Sequence, residues 1–188
     1  MVTYKIRASA RHKRGPQGFT LIETMVAMTI LAILAATALS ASMQMMVDRR
    51  LEGKAREYVT HMNWARSMAI SSNQAVNLRI AQSEDVSCYV VFHGPTDDCS
   101  CDASGAVCTS PQNELLVVVL PDGEGVKVRA RTAAATVRID PHHGMLTPTL
   151  TAIFSADNGK AIYNISNIVG RTRSCTLEGA GFGFNICP

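Results

Sequence analysis

Four groups of residues in this 188-residue chain have types and spacings that can do chemistry: Arg171-x-Arg173, Asp140-x-His142-His143, six cysteines, and the isolated Glu23. In an extended strand residues two apart point to one face, so Arg171 and Arg173 are expected to project together. Two guanidinium forks on one face suit a phosphate. The competing reading is a pair of solvated arginines on an edge strand, where charge discourages aggregation. Taken alone, Arg-x-Arg favours that competitor. Asp140, His142 and His143 lie beside Pro141 and Gly144 in what reads as an exposed hairpin turn. No third ligand at helical spacing turns them into a metal centre. The chain has no Gly-x-Ser-x-Gly, no phosphate loop and no His-Glu-x-x-His. The expectation is a protein without catalytic residues, cofactor or metal.

Cys88, Cys99, Cys101, Cys108, Cys175 and Cys187 all follow the apolar segment described below. Six cysteines allow fifteen complete pairings, which sequence cannot rank. A zinc site is the rival, but Cys99-x-Cys101 with Cys108 lacks the paired Cys-x-x-Cys spacing. Disulfides are expected, with Cys175–Cys187 first because it closes a short C-terminal loop. That loop contains a glycine-rich stretch, 179–185, in which Phe182 and Phe184 can either stack on bases or belong to the core.

Glu23 stands near the start of an apolar run. From Thr24 to Val47 there is no charge, proline or glycine. At about 1.5 Å per residue a helix of this length reaches across a bilayer's hydrocarbon core. Lys5, Arg7, Arg11, Lys13 and Arg14 precede it without an acidic residue. Three readings compete: a secretory signal peptide cut near Leu39-Ser40-Ala41, a passive anchor with its basic end cytoplasmic, or a segment cut between Gly18 and Phe19 with the helix retained. A carboxylate inside an apolar segment costs about 2.5–3.5 kcal/mol on insertion scales, less near an interface. A signal peptide or passive anchor gains nothing from it. Cleavage after Gly18 frees an α-amino group on Phe19 that Glu23 of a neighbouring subunit can neutralise.

The elements that must position these groups follow from periodicity. Beyond Asp48 the apolar residues Leu51, Ala55, Tyr58, Met62, Ala65 and Ala69 recur at three- and four-residue spacing. One helix of about fifty residues is expected, ending at Ser71-Ser72-Asn73, with Gly53 a weak point of about 1 kcal/mol. Trp64 and Met68 are expected in the core or an interface. After Asn73 the period becomes two. Strands are expected within 75–93, turning at Ser83-Glu84-Asp85, and at 114–120, 126–130, 135–140, 150–155 and 160–166. Turns fall at Pro121-Asp122-Gly123, His142-His143-Gly144 and Asp157-Asn158-Gly159. Residues 94–113 read as a long loop stapled by Cys99, Cys101 and Cys108. The class is α+β: a long N-terminal helix packed on a C-terminal antiparallel sheet.

Charge is unevenly placed. The net +3 includes the five leader cations, and without them 13 basic residues face 15 acidic ones. Residues 73–126 hold Arg79 against eight acidic residues, whereas residues 127–188 hold seven basic against three acidic ones. No global basic excess points to nucleic acid, but one half of the globular region is basic.

Gly18-Phe19-Thr20-Leu21-Ile22-Glu23, between a basic leader and an apolar helix, resembles the class III signal of type IV pilins and pseudopilins. The resemblance implies cleavage after Gly18 by prepilin peptidase, N-methylation of Phe19, and a role for Glu23 in assembly. It divides the chain into a leader (1–18), a transmembrane and assembly helix (19–47) and a periplasmic or extracellular globular domain (48–188). One departure is the lack of a helix-kinking proline near Ser40. Strands followed by Ser166-Asn167-x-x-Gly170-Arg171-x-Arg173 resemble the FimT/GspH-type minor pilins and pseudopilins. In FimT-like members a C-terminal Gly-Arg-x-Arg is tied to non-specific binding of double-stranded DNA in natural transformation, which places Gly170, Arg171 and Arg173 in that role. The implied partners are other minor and major pilins, the bacterial inner membrane and prepilin peptidase. The implied location is a single pass with its N-terminus cytoplasmic, then the periplasm and cell-surface pilus. Close relatives serve instead in pilus assembly alone or in type II secretion.

Overall fold

The computed structural model describes residues 18–187, apart from 84–85, 103, 132–134 and 178–182, and apart from the side chains of 37–42. The basic leader, the Glu84-Asp85 turn and Phe182 therefore lie outside the described residues. The chain divides into two compact units, residues 1–41 and 42–188.

Helix α1 runs from Leu21 to Ser72, close to the expected length. It opens on Thr20, whose hydroxyl and carbonyl both accept from the Glu23 N–H. Glu23 thus stands at the third helical position, with a carboxylate in the first turn where the helix dipole favours it. In the first unit Leu21, Ile22, Met25, Val26, Met28, Ile30, Leu31, Ile33 and Leu34 are all more than half exposed. A helix apolar on every side is one that other apolar matter covers. Among the described residues no helix is long and apolar enough to cross a membrane.

In the second unit, the stripe read from periodicity is buried without exception. Leu51, Ala55, Tyr58, Met62, Ala65 and Ala69 have no solvent exposure. Asn73 adopts a left-handed φ of 53°, and the Gln74 N–H reaches back to the Ala69 carbonyl, which terminates the helix.

Eleven strands follow among the described residues: β1 (Val76–Gln82), β2 (Val86–His93), β3 (Cys99–Asp102), β4 (Gly105–Cys108), β5 (Glu114–Pro121), β6 (Val126–Ala130), β7 (Thr136–Ile139), β8 (Leu146–Thr147), β9 (Leu150–Ala156), β10 (Ala161–Ser166) and β11 (Thr172–Cys175). They form an antiparallel sheet in the order β5-β2-β1-β7-β8, a second in the order β11-β10-β9-β6, and the hairpin β3-β4. The helix stripe shares one core with Leu78, Ile80, Tyr89 and Val91 of the first sheet and with Phe154 and Ile162 of the second. Trp64 is partly exposed, and Met68 packs at the margin of the core.

The segment 94–113 differs from the expected irregular loop. It contains β3-β4 and a short 3-10 turn, Pro111–Asn113. Disulfides Cys88–Cys101 and Cys99–Cys108 bind this hairpin to β2 and close it on itself. A second apolar cluster results, of Val86, Cys88, Val90, Phe92, Cys99 and Cys101. Strand residues alternate between faces, so this cluster covers the side of β2 opposite Tyr89 and Val91.

Candidate functional site

Residues 167–171 form the loop of the β10-β11 hairpin. Asn167 organises it: its carbonyl accepts from the Gly170 N–H at 2.9 Å, its side-chain oxygen accepts from the Arg171 N–H at 2.9 Å, and its own N–H donates to the Arg171 carbonyl at 3.1 Å. Gly170 turns the chain with φ 84°, a conformation costly for any residue with a Cβ. Arg171 therefore precedes β11 and lies in the loop, whereas Arg173 lies within the strand. The expectation of two arginines on one strand is corrected in that respect. The two are nonetheless brought together. Both are exposed, and both line one open hollow with Asn167, Ser174, Asn185 and Ile186. Neither guanidinium has an ion pair or hydrogen bond among the described residues.

The strand that presents Arg173 is tied to the helix through buried polar groups. Ser174 donates to Asn164 Oδ1 at 2.7 Å, and Asn164 Nδ2 donates to the Ala55 carbonyl of α1 at 3.0 Å. Ser166 and Thr172 share a hydroxyl–hydroxyl bond of 2.8 Å one step closer to the loop. The far wall of the hollow comes from the C-terminus. Thr176 N–H donates to Asn185, Cys187 N–H donates to Thr176, and the disulfide Cys175–Cys187 closes that segment onto β11. This is the pair expected from loop length. Phe184 does not face the hollow as a stacking ring. It packs at the margin of the core, with the Arg56 guanidinium 5.1 Å from its centroid.

One residue at this site carries no sequence signal. The Arg66 side chain, on α1, runs between two left-handed glycines, Gly144 and Gly170. A Cβ at Gly170 would lie 2.8 Å from Arg66 Nε and 2.8 Å from the Gly144 carbonyl, and one at Gly144 would lie 2.5 Å from Arg66 Nε. The Arg66 Nε is buried without a hydrogen-bond partner among the described residues. The Leu146 N–H donates to the Ile168 carbonyl, so the two glycine-bearing loops are joined.

The remaining candidates are placed as follows. Asp140 Oδ1 accepts the backbone N–H groups of His142 and His143 at 2.8 and 3.1 Å, and these bonds hold its carboxyl below the usual carboxylate range. Both histidines are exposed in the turn. Among the described residues no three His, Cys, Asp or Glu are grouped to hold a metal ion. Gly18 and Phe19 are exposed ahead of α1, and the Glu23 carboxylate has no side-chain partner among the described residues.

Two family models match the chain: the prokaryotic N-terminal methylation motif over residues 13–39, and type II transport protein GspH over residues 54–177. No curated protein is a match. Among solved structures the chain is similar to the type IV minor pilin FimU of Pseudomonas aeruginosa strain PAO1 in two crystal forms. Identity is 15% and 16%, coverage is 66% and 64% of this chain and 87% and 88% of FimU, and the TM-scores are 0.47 and 0.42. The GspH model spans the helix stripe from Ala55 onward, both sheets and the paired arginines, and the methylation motif spans the Gly18–Glu23 signal, so the chain belongs to the GspH-type family of type IV minor pilins and pseudopilins.

Proposed function

We propose that this chain is a minor type IV pilin that binds double-stranded DNA through Arg171 and Arg173 and serves pilus biogenesis and DNA uptake in natural transformation. The observation that carries the reading is the pair of guanidiniums, unpartnered among the described residues, that line one open hollow beside the amides of Asn167 and Asn185. Arginine forks with neutral donors around them contact phosphate oxygens without reading bases. Binding is therefore sequence-independent, with avidity from several subunits. Prepilin peptidase cuts after Gly18, Phe19 is methylated, and Glu23 pairs with the Phe19 amine of a neighbouring pilin. Before assembly the apolar helix anchors the chain in the inner membrane as a single pass with its N-terminus cytoplasmic. After assembly the globular domain faces the periplasm or the cell surface, where disulfides persist.

The test is fluorescence anisotropy of a labelled random-sequence duplex with the mature chain in detergent, over a salt series. Arg171→Ala/Arg173→Ala should flatten the slope of log K against log[salt] by about two, since each lost phosphate contact removes about 0.9. An unchanged affinity and slope would sink the DNA reading. The description of the matching family model favours a second reading, a type II secretion pseudopilin. Deletion would then abolish secretion while pili remain normal, and the wild-type chain would not bind the duplex.

A further inference from the structure

A second pair of arginines comes together on the first sheet from positions 59 residues apart in the sequence. Arg79 on β1 lies opposite Thr136, and Arg138 on β7 lies opposite Asn77. Residues 77 and 79 share a face, as do 136 and 138, so the two arginines are diagonal neighbours on one side of the sheet. That side is the one away from the helix, because the intervening Leu78 and Val137 belong to the helix–sheet core. Diagonal cross-strand residues are separated by about 7–8 Å, within mutual reach of long side chains. Both arginines line one hollow with Thr96, Asp97, Thr136 and Thr147. Neither has an ion pair or hydrogen bond among the described residues, Asp97 included. The hollow therefore offers two uncommitted guanidinium forks and three hydroxyls against one carboxylate, which suits an anion with several oxygens.

Its place in the fold relates it to the first pair. Arg138 is paired with Thr147 of β8, and the adjoining Leu146 N–H donates at 2.9 Å to the Ile168 carbonyl, in the loop that bears Arg171. A single two-residue strand thus separates Arg138 from that loop. Each strand of a DNA duplex presents a phosphate about every 3.4 Å along the axis. A duplex that reached both sites would contact them through different phosphates.

We propose that Arg79 and Arg138 form a second phosphate subsite, and that one DNA duplex contacts it together with Arg171 and Arg173. The inference rests on the DNA reading above and extends its footprint from the β10-β11 loop onto β1 and β7. It also explains why the only basic residue in the acidic stretch 73–126 stands at position 79.

The experiment compares the mature chain with Arg79→Gln/Arg138→Gln, Arg79→Lys/Arg138→Lys, Arg171→Ala/Arg173→Ala and the combined Gln/Ala variant, using the labelled duplex and the same salt series. The Gln pair should flatten the salt slope by about two and the combined variant by about four, whereas the Lys pair keeps the slope. Asp97→Asn should tighten binding. If the Gln pair matches wild type while the Ala pair is weakened, the second subsite is overturned and the first reading stands. If only the Gln pair is weakened, the assignment to Arg171 and Arg173 fails and the pair on β1 and β7 remains. Should the Gln and Lys pairs weaken binding equally, with unaltered melting temperatures, charge is not what the sites supply and the subsite is overturned. Absence of wild-type binding overturns both readings.

Discussion

The Tyr58 hydroxyl is buried between helix and sheets without a hydrogen-bond partner among the described residues. Its ring packs edge-on to Tyr89 at 5.3 Å and tilted against Phe154 at 5.5 Å, contacts that Phe would preserve. Burial pushes the phenol's pKa up, so the group stays neutral, but an unpaired hydroxyl still carries its desolvation cost. Tyr58→Phe should raise stability by about 1 kcal/mol, read as a higher urea midpoint at unchanged slope. A lower midpoint would mean that the hydroxyl has a partner. The neighbouring Tyr89 hydroxyl offers the contrast, since it bonds His61 Nδ1 at 2.8 Å. Periodicity placed Tyr58 on the buried helix stripe but could not show whether its hydroxyl is satisfied, because hydrogen-bond satisfaction depends on what crosses from another element. Arg66 makes the same point. Its surroundings, Gly144 and Gly170, lie 78 and 104 residues further along the chain.

Among the elements, the hairpin β3-β4 is the one that cysteine arithmetic alone could not build. Cys88–Cys101 ties it across β2, over Val90 and Phe92. Apart from its cysteines the segment brings only Ala106 to that cluster among the described residues, so without the cross-link few apolar contacts remain to hold it. Cys88→Ser/Cys101→Ser should cost about 2–4 kcal/mol and expose the apolar face of β2, detected as increased binding of an environment-sensitive dye. The helix–sheet core faces the other side of β2 and should keep its far-ultraviolet circular dichroism. A loss of that signal would show that the hairpin is required for the fold itself. The β10-β11 hairpin behaves differently: its two ends are readable in sequence, yet its attachment to α1 through Ser174, Asn164 and the Ala55 carbonyl is not.

For the molecule as a whole, one contribution to acid stability comes from a tie between the helix and the second sheet. Asp48 of α1 accepts from Lys160 and, at 2.8 Å, from Asn158 Nδ2 in the β9-β10 turn. The Lys160 hydrogen bond is the main cause that holds the Asp48 carboxyl below its ordinary value. Because the folded pKa lies below the unfolded one, this stabilisation is present above about pH 4 and is lost as pH falls through the folded value. Melting temperature should therefore drop below about pH 4 in the wild type, and Asp48→Asn should remove part of that drop while melting lower at neutral pH. Identical acid profiles for the two proteins would show that the tie contributes nothing. The group is largely solvated, so the effect is small and screened by salt.

Local chemistry determined much of this protein from the sequence alone. The leader signal at Gly18–Glu23, the helix stripe from Leu51 to Ala69, the strand alternation after Asn73 and the turn at Asp157-Asn158-Gly159 each depend on residues close in the chain, where periodicity and turn propensity act. Arg171-x-Arg173 was visible for the same reason. Tertiary structure decided which groups share a surface. It moved Arg171 into a loop while keeping it beside Arg173, took Phe184 to the core margin, and folded 94–113 onto the back of β2. It also placed Arg79 diagonal to Arg138 through the β1-β7 register. Register and sheet order are set by burial summed over many distant contacts, and no window of sequence contains that sum.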